Sequence, residues 1–224
     1  ILIVWKNITG RAIREQQRIA MTNAVAHNLK TPLCVINGFS ENLREESGYL
    51  TKQHYINVIQ EQANEMDILV HKMLNFSKLE SDSAKLNIKS FNIKTELENI
   101  AKKYNDISSK NIIVTADDKE IFADKELMEL VFENLIENAV KYSKDNSDIK
   151  ISFANNNFNI SNECDEISKK DLKKIWKPYN RLEKDEEVRG TGIGLSIVKH
   201  ILKLHRIKPY TEYSGGRLII GFYI

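Results

Sequence analysis

A chain of 224 residues is long for one compact unit and comfortable for two. Its 42% hydrophobic and 29% charged content marks a soluble, globular chain rather than a disordered one. A net charge of only +2 supplies no concentrated basic face, which excludes nucleic acid as the main partner.

The chain opens with Ile1 to Trp5, ILIVW, and turns charged at Lys6. Five apolar residues cannot cross a bilayer, which takes roughly 20. They read either as the tail of a membrane helix that precedes the chain or as a short buried patch, and residues 1–18 are assigned to a membrane-proximal linker helix. Residues 19–80 read as two long helices. In the first, Ile19, Thr22, Ala26, Leu29, Leu33, Ile36, Ser40 and Leu43 follow a 3-4 spacing; Ile56, Ile59, Ala63, Met66, Val70 and Met73 do so in the second. That is the seam of a helical bundle. Between them lies ESGYLT, with Gly48 as terminator and Thr51 as N-cap. Two helices bury little alone, so the pattern predicts a four-helix homodimer.

Residues 81–90 are polar and read as a linker. From 91 to 224 the grammar is mixed α and β. Lys94 to Tyr104 and Leu127 to Tyr142 have helical spacing, the second with Leu127, Leu130, Val131, Leu135, Ile136 and Val140 on its core side. Strands are expected at Ile112–Thr115, Ile121–Ala123, Ile149–Phe153, Phe158–Ile160, Tyr210–Tyr213 and Leu218–Tyr223. Asn155 to Asn157 suits a hairpin turn, and short helices are expected at Leu172–Trp176 and Ile193–Leu204. The expected fold is a helical hairpin followed by an α+β sandwich with one mixed sheet. Cys34 and Cys164 are far apart without CxxC spacing and read as free thiols in a reducing compartment.

Three polar constellations stand out. In VAHNLKTPL, His27 lies one position off the inward Ala26 and Leu29, so about 100° of helix rotation points its ring outward. Pro32 leaves the carbonyl of Asn28 without its helical partner. A neutral imidazole beside such a kink is a capable nucleophile; an inert surface histidine is the other reading. In NLIENAVKY, Asn134, Asn138, Lys141 and Tyr142 share the side of the helix away from the core. Amide oxygens can hold a metal and a lysine can pair with phosphate, against the alternative of a solvated face. In RGTGIGLSIVK, Gly190, Gly192 and Gly194 precede a helix whose N-terminus favours phosphate.

HNLKTPL resembles the H box of sensor histidine kinases, NLIENAVKY the N box of the GHKL ATP-binding fold, and GTGIGLSIVK the second glycine box of the same family. The resemblance spans nearly the whole chain. It implies ATP-dependent phosphorylation of His27, onward transfer to an aspartate of a response regulator, and a water-orienting role for Thr31 in dephosphorylating that regulator. It implies Mg²⁺ on Asn138, phosphate contacts from Lys141, Thr191 and Leu195, and Tyr142 beside the adenine. It assigns 19–80 to dimerisation and phosphotransfer and 91–224 to ATP binding, in the cytoplasmic part of a protein tethered to a membrane through a preceding segment.

Departures from the family pattern carry their own expectations. The usual acid after the histidine is Asn28, which accepts a hydrogen bond but takes no proton. That predicts slow autokinase chemistry with a tilt towards phosphatase, unless Asn28 is merely tolerated. Asn134 stands where GHKL ATPases carry a water-activating glutamate, so transfer to a protein nucleophile is expected over hydrolysis. IWKPYNR resembles the F box, with Trp176 and Tyr179 in place of phenylalanines, and Arg181 within reach of phosphate from the lid at 180–189. The first glycine box, D-x-G-x-G, reads Asn162, Glu163, Cys164, Asp165, Glu166, and both glycines are gone. Asn162 keeps an acceptor for the adenine amino group. This degeneration resembles Gram-positive kinases of the vancomycin- or lantibiotic-sensing type. The rival readings are a kinase-impaired phosphatase or scaffold, and a GHKL ATPase.

Overall fold

The computed structural model describes residue 26, residues 29–44, residues 52–80 (71–80 in backbone only), 86–177 and 192–224. It divides into two compact units, Ile1–Glu80 and Ser81–Ile224.

The first unit is a helical hairpin of α1 (29–44) and α2 (Lys52–Glu80). Pro32 is buried within α1. Phe39 packs edge-on to Tyr55, with ring centroids 5.8 Å apart. On α2, Tyr55, Gln62 and Leu69 recur every seven residues and are buried. The expected seam is only half covered. Leu29, Ile36, Leu43, Ile59 and Met66 are half-buried, whereas Ala26, Leu33, Ser40, Ile56, Ala63 and Val70 are exposed. One hairpin covers one edge of an apolar stripe and leaves the other open. Ile19, Thr22 and the side chain of Met73 lie outside the described residues. Among the described residues no helix is long and apolar enough to cross a membrane.

The second unit is an α/β sandwich of two sheets rather than one. Strands β1 (Ile88–Asn92) and β3 (Glu120–Asp124) form an antiparallel pair. The larger sheet has the order β2-β4-β5-β7-β6, from β2 (Ile112–Ala116), β4 (Ile149–Ala154), β5 (Asn157–Glu163), β7 (Arg217–Tyr223) and β6 (Pro209–Ser214). Only β2 and β4 run parallel; the other pairs are antiparallel. Strand β1 begins at Ile88, inside the stretch expected to be a linker. Its single buried apolar residue, Phe91, gives too short a signal to show before pairing with β3.

Local chemistry sets the element ends. Asn92 and Asp124, the last residues of β1 and β3, cap α3 (Ile93–Ile107) and α4 (Lys125–Tyr142) by accepting from the N–H groups of Thr95 and Leu127. Ser168 caps α5 (Lys169–Lys174), which therefore starts a turn earlier than its apolar residues suggest. Both hairpin turns need positive φ at two central residues. Asn155 and Asn156 (φ 53° and 64°) supply it between β4 and β5, and Gly215 and Gly216 (φ 58° and 77°) between β6 and β7.

Helix α4 packs against β5, α3 and α6 (Gly194–Leu204). Its core side is broader and rotated from expectation. Met128, Phe132 and Ala139 join Val131, Leu135 and Ile136 in the core, while Leu127, Leu130 and Val140 are only half-buried. A helix walled on three sides buries more than one stripe. Behind it, Phe132, Phe158 and Phe222 stack in series, with centroids 5.1 and 4.8 Å apart.

Two predictions arise from this packing. A Cβ on Gly221 would collide with the Asn159 amide oxygen and with the ring and hydroxyl of Tyr210, which lies across it and shares its one proton between Asn157 and Asn159. Gly221→Ala should therefore cost about 1–3 kcal/mol of stability in urea unfolding, and less in a Tyr210→Ala background. Between α3 and α4, burial, with Glu96 and Glu133 alongside, holds the Glu129 carboxyl above its ordinary range. A raised carboxyl stabilises the fold at low pH and loses that contribution as pH rises through its folded value. Glu129→Gln should shift the urea midpoint upward at pH 7, and the two proteins should converge near pH 4.

Candidate nucleotide site

Asn134 is the pivot of the site. It was expected on the solvent side of α4, but it is 3% exposed. Its Nδ2 donates to the Leu130 carbonyl one turn back at 2.7 Å. Its Oδ1 is buried without a hydrogen-bond partner. A Cβ built on Gly194 would lie 3.0 Å from that oxygen. A Cβ there would crowd the Asn134 amide, so glycine at the first turn of α6 lets the helix start sit directly against that side chain. The solvent-side expectation fails because α6 covers this face of α4 from sixty residues away in sequence.

The N-terminus of α6 points the same chemistry at the same place. Its N-cap is Ile193, and no side chain caps it. The first N–H groups of a helix have no intrahelical acceptors and carry partial positive charge. Gly192, with φ 65°, turns the chain into this helix through the left-handed region. Gly194 and Leu195 are half-buried at its start. An orphan carbonyl oxygen beside uncapped N–H groups suits a ligand that carries both phosphate and a cation.

Further along α4, Asn138, Lys141 and Tyr142 are half-buried. The Lys141 ammonium lies 5.6 Å from the centroid of the Tyr142 ring. Glu137, beside Asn138, accepts from the Tyr104 hydroxyl at 3.1 Å. Burial and the charges of Glu137 and Glu133 push that phenol well above its ordinary value, so it stays protonated and donating. Asn162 is 4% exposed on β5, and the Lys144 N–H, just past α4, donates to the carbonyl of the next residue, Glu163, at 2.9 Å. The α4 terminus and the Asn162 strand are thus tied together.

Some contacts have no local signature in sequence. Lys110 donates to the carbonyls of Ser143 and Lys144 and to Asp145, at 3.2, 2.8 and 3.1 Å. It grips the turn that follows α4. Arg217 binds the Glu163 carboxylate at 2.9 Å and the carbonyls of Asp148 and Ser161. Lys144 pairs with Asp165 at 3.1 Å where the family's glycines are missing. Trp176 is buried, and its indole N–H donates to Thr211 at 3.3 Å. Thr31 is exposed on α1. His27, Asn28, Tyr179, Arg181, Gly190 and Thr191 lie outside the described residues. Both cysteines are free, Cys34 exposed and Cys164 buried.

Comparison with known proteins agrees with this geometry. Residues 17–82 match the His Kinase A (phospho-acceptor) domain, and residues 123–220 match the Histidine kinase-, DNA gyrase B-, and HSP90-like ATPase family. Together the two matches span most of the chain. The chain carries these two domains one after the other. It is 27% identical to the sensor protein kinase WalK of Staphylococcus aureus over 96% of its length and 55% of that protein's. It is 25% identical to the sensor histidine kinase ArsS of Helicobacter pylori over 91% of its length and 46% of that protein's. The chain therefore spans about half the length of the curated relatives it matches. The histidine kinase ThkA, solved in complex with the response regulator protein TrrA, has the same fold at a TM-score of 0.69 and 22% identity, covering 98% of this chain and 65% of that one.

The Asn134–Gly194 approach makes a direct prediction. Gly194→Ala should weaken nucleotide binding at least about tenfold, equivalent to about 1.4 kcal/mol, in a titration with ADP. Asn134→Ser in the same chain, which shortens the opposing side chain, should not restore it if the orphan oxygen itself is needed.

Proposed function

We propose that this histidine kinase core phosphorylates itself on His27 with ATP and passes the phosphoryl group to an aspartate of a response regulator. The observation that carries the reading is the buried, unpartnered Oδ1 of Asn134 facing the uncapped start of α6. In this reading the triphosphate lies along the N–H groups of Thr191 to Leu195, with Gly190, Gly192 and Gly194 keeping the backbone close. Lys141 neutralises phosphate charge, Arg181 reaches in from the lid, and Tyr142 and Tyr179 pack near the base. Asn162 accepts from the adenine amino group.

Mg²⁺ fits the donor set. The residues that would hold it are amides, principally Asn138 with Asn134 behind it. An ion of this kind, held by one or two protein oxygens and the phosphates, supplies charge neutralisation there.

The chemical step needs little from the protein beyond position. An imidazole nitrogen of His27 attacks the γ-phosphorus with its lone pair. The bond to the β–γ bridging oxygen breaks, and ADP leaves with that electron pair. The ring proton passes to solvent. Asn28 accepts a hydrogen bond from the imidazole but removes no proton, which makes the step slower than with an acid. Asn134 likewise takes no proton, so the nucleotide domain activates no water and hydrolysis stays minor. The phosphohistidine then donates to the regulator, and Thr31 orients water for the reverse, dephosphorylating reaction.

The half-exposed seam supports a homodimer, since Leu33, Ile56 and Val70 lack cover within one hairpin. We place dimerisation and phosphotransfer in residues 19–80, and start the catalytic domain no later than Ile88. We also read the chain as cytoplasmic, tethered to a membrane by a preceding segment, and of the vancomycin- or lantibiotic-sensing type on the strength of the altered loop at 162–166.

Incubation with labelled Mg-ATP should give an acid-labile, base-stable label. His27→Gln should abolish the label while leaving ADP binding within about twofold. A label that survives this change would remove His27 from its role.

A further inference from the structure

Asn162 is set up differently from a carboxylate in the same place. It lies on β5 opposite Leu218 of β7 and is 4% exposed. Its Nδ2 donates to the Glu163 carbonyl at 3.4 Å, at the outer limit of a hydrogen bond. That carbonyl already accepts a shorter bond, 2.9 Å, from the Lys144 N–H. Glu163 therefore does not depend on Asn162 for satisfaction. Among the described residues the Asn162 Oδ1 has no hydrogen-bond partner. A half-turn of the amide costs one weak bond and nothing else that is made within the protein.

A carboxylate accepts only, whichever way it turns, whereas an amide donates at one end and accepts at the other. Position 6 is a hydrogen-bond donor in adenine and an acceptor in a 6-oxo purine. With one end of the amide at the Glu163 carbonyl, the other end is the one that can meet position 6. Turning the amide by half exchanges an acceptor for a donor at that point. We propose that this site takes 6-oxo purine nucleotides, those of inosine and guanosine, as well as the adenine nucleotide, with Asn162 as the residue that sets this breadth. The proposal rests on the reading that Asn162 faces the nucleotide base. The turned amide leaves Oδ1 near the Glu163 carbonyl, so adenine keeps a modest advantage. A carboxylate at this position would meet the 6-oxo group acceptor to acceptor, with no proton between them.

The test compares ADP with IDP by calorimetric titration of the full chain in magnesium buffer. IDP differs from ADP at position 6 and N1 without the extra 2-amino group of guanine. We expect IDP within about tenfold of ADP, and Asn162→Asp to widen the preference for ADP by at least a further tenfold. A preference for ADP beyond tenfold in the unaltered chain overturns the proposal while leaving the nucleotide site standing. An unchanged preference in folded Asn162→Asp overturns it as well. Binding of neither diphosphate removes both the proposal and the nucleotide reading beneath it. Circular dichroism checks that Asn162→Asp folds; if it does not, the ratio in the unaltered chain decides alone.

Discussion

The close approach of Gly194 to Asn134 joins α4 and α6 in the second unit. Gly194 of α6 lies against the Asn134 side chain of α4, whose amide oxygen is buried with no hydrogen-bond partner. An unmet buried acceptor costs about 1–3 kcal/mol. Such a cost persists in a fold when the group serves a ligand, and here the uncapped start of α6 supplies the complementary pole. The polar stripe of α4 then needs no further device to aim it.

What holds α4 in place is distributed around it. The aromatic series of Phe132, Phe158 and Phe222 fixes its inner side on the sheet. On the outer side, Lys103 pairs with Glu133 at 2.7 Å and Lys125 with Glu96 at 3.0 Å, joining α3 to α4. The hydrogen bond to Glu133 raises the Lys103 ammonium above its ordinary value, as the bond to Glu96 does for Lys125. Those bridges are partly solvated and individually weak. Lys110 is different: its side chain is 10% exposed and grips two carbonyls and a carboxylate beyond the helix end. It also stands just before β2, whose first residue is pinned to α3 by Asn105. The last turn of α4 is therefore coupled to the edge of the sheet.

The helical unit obeys a different logic. Its buried positions recur every seven residues on α2, and its exposed apolar residues alternate with them. Coverage of the second edge by another copy would complete the stripe with the same side chains. Pro32, buried within α1, lacks the backbone N–H that would continue the helical hydrogen-bond ladder.

Periodicity and turn chemistry made most of the elements legible in the sequence. The long helices, the Asn155–Asn156 and Gly215–Gly216 hairpins and the major strands follow from local residue choice, because caps, positive-φ turns and apolar spacing act within a few residues. The HNLKTPL, NLIENAVKY and GTGIGLSIVK strings stand out in the sequence for the same reason: each gathers its polar residues or glycines into one short segment. What only the tertiary structure decided was which faces those segments present. Strand β1, the division into two sheets, the burial of Asn134 and the grip of Lys110 depend on partners thirty or more residues away. A polar residue reads as solvent-facing until another helix closes over it, and no local pattern records that closure.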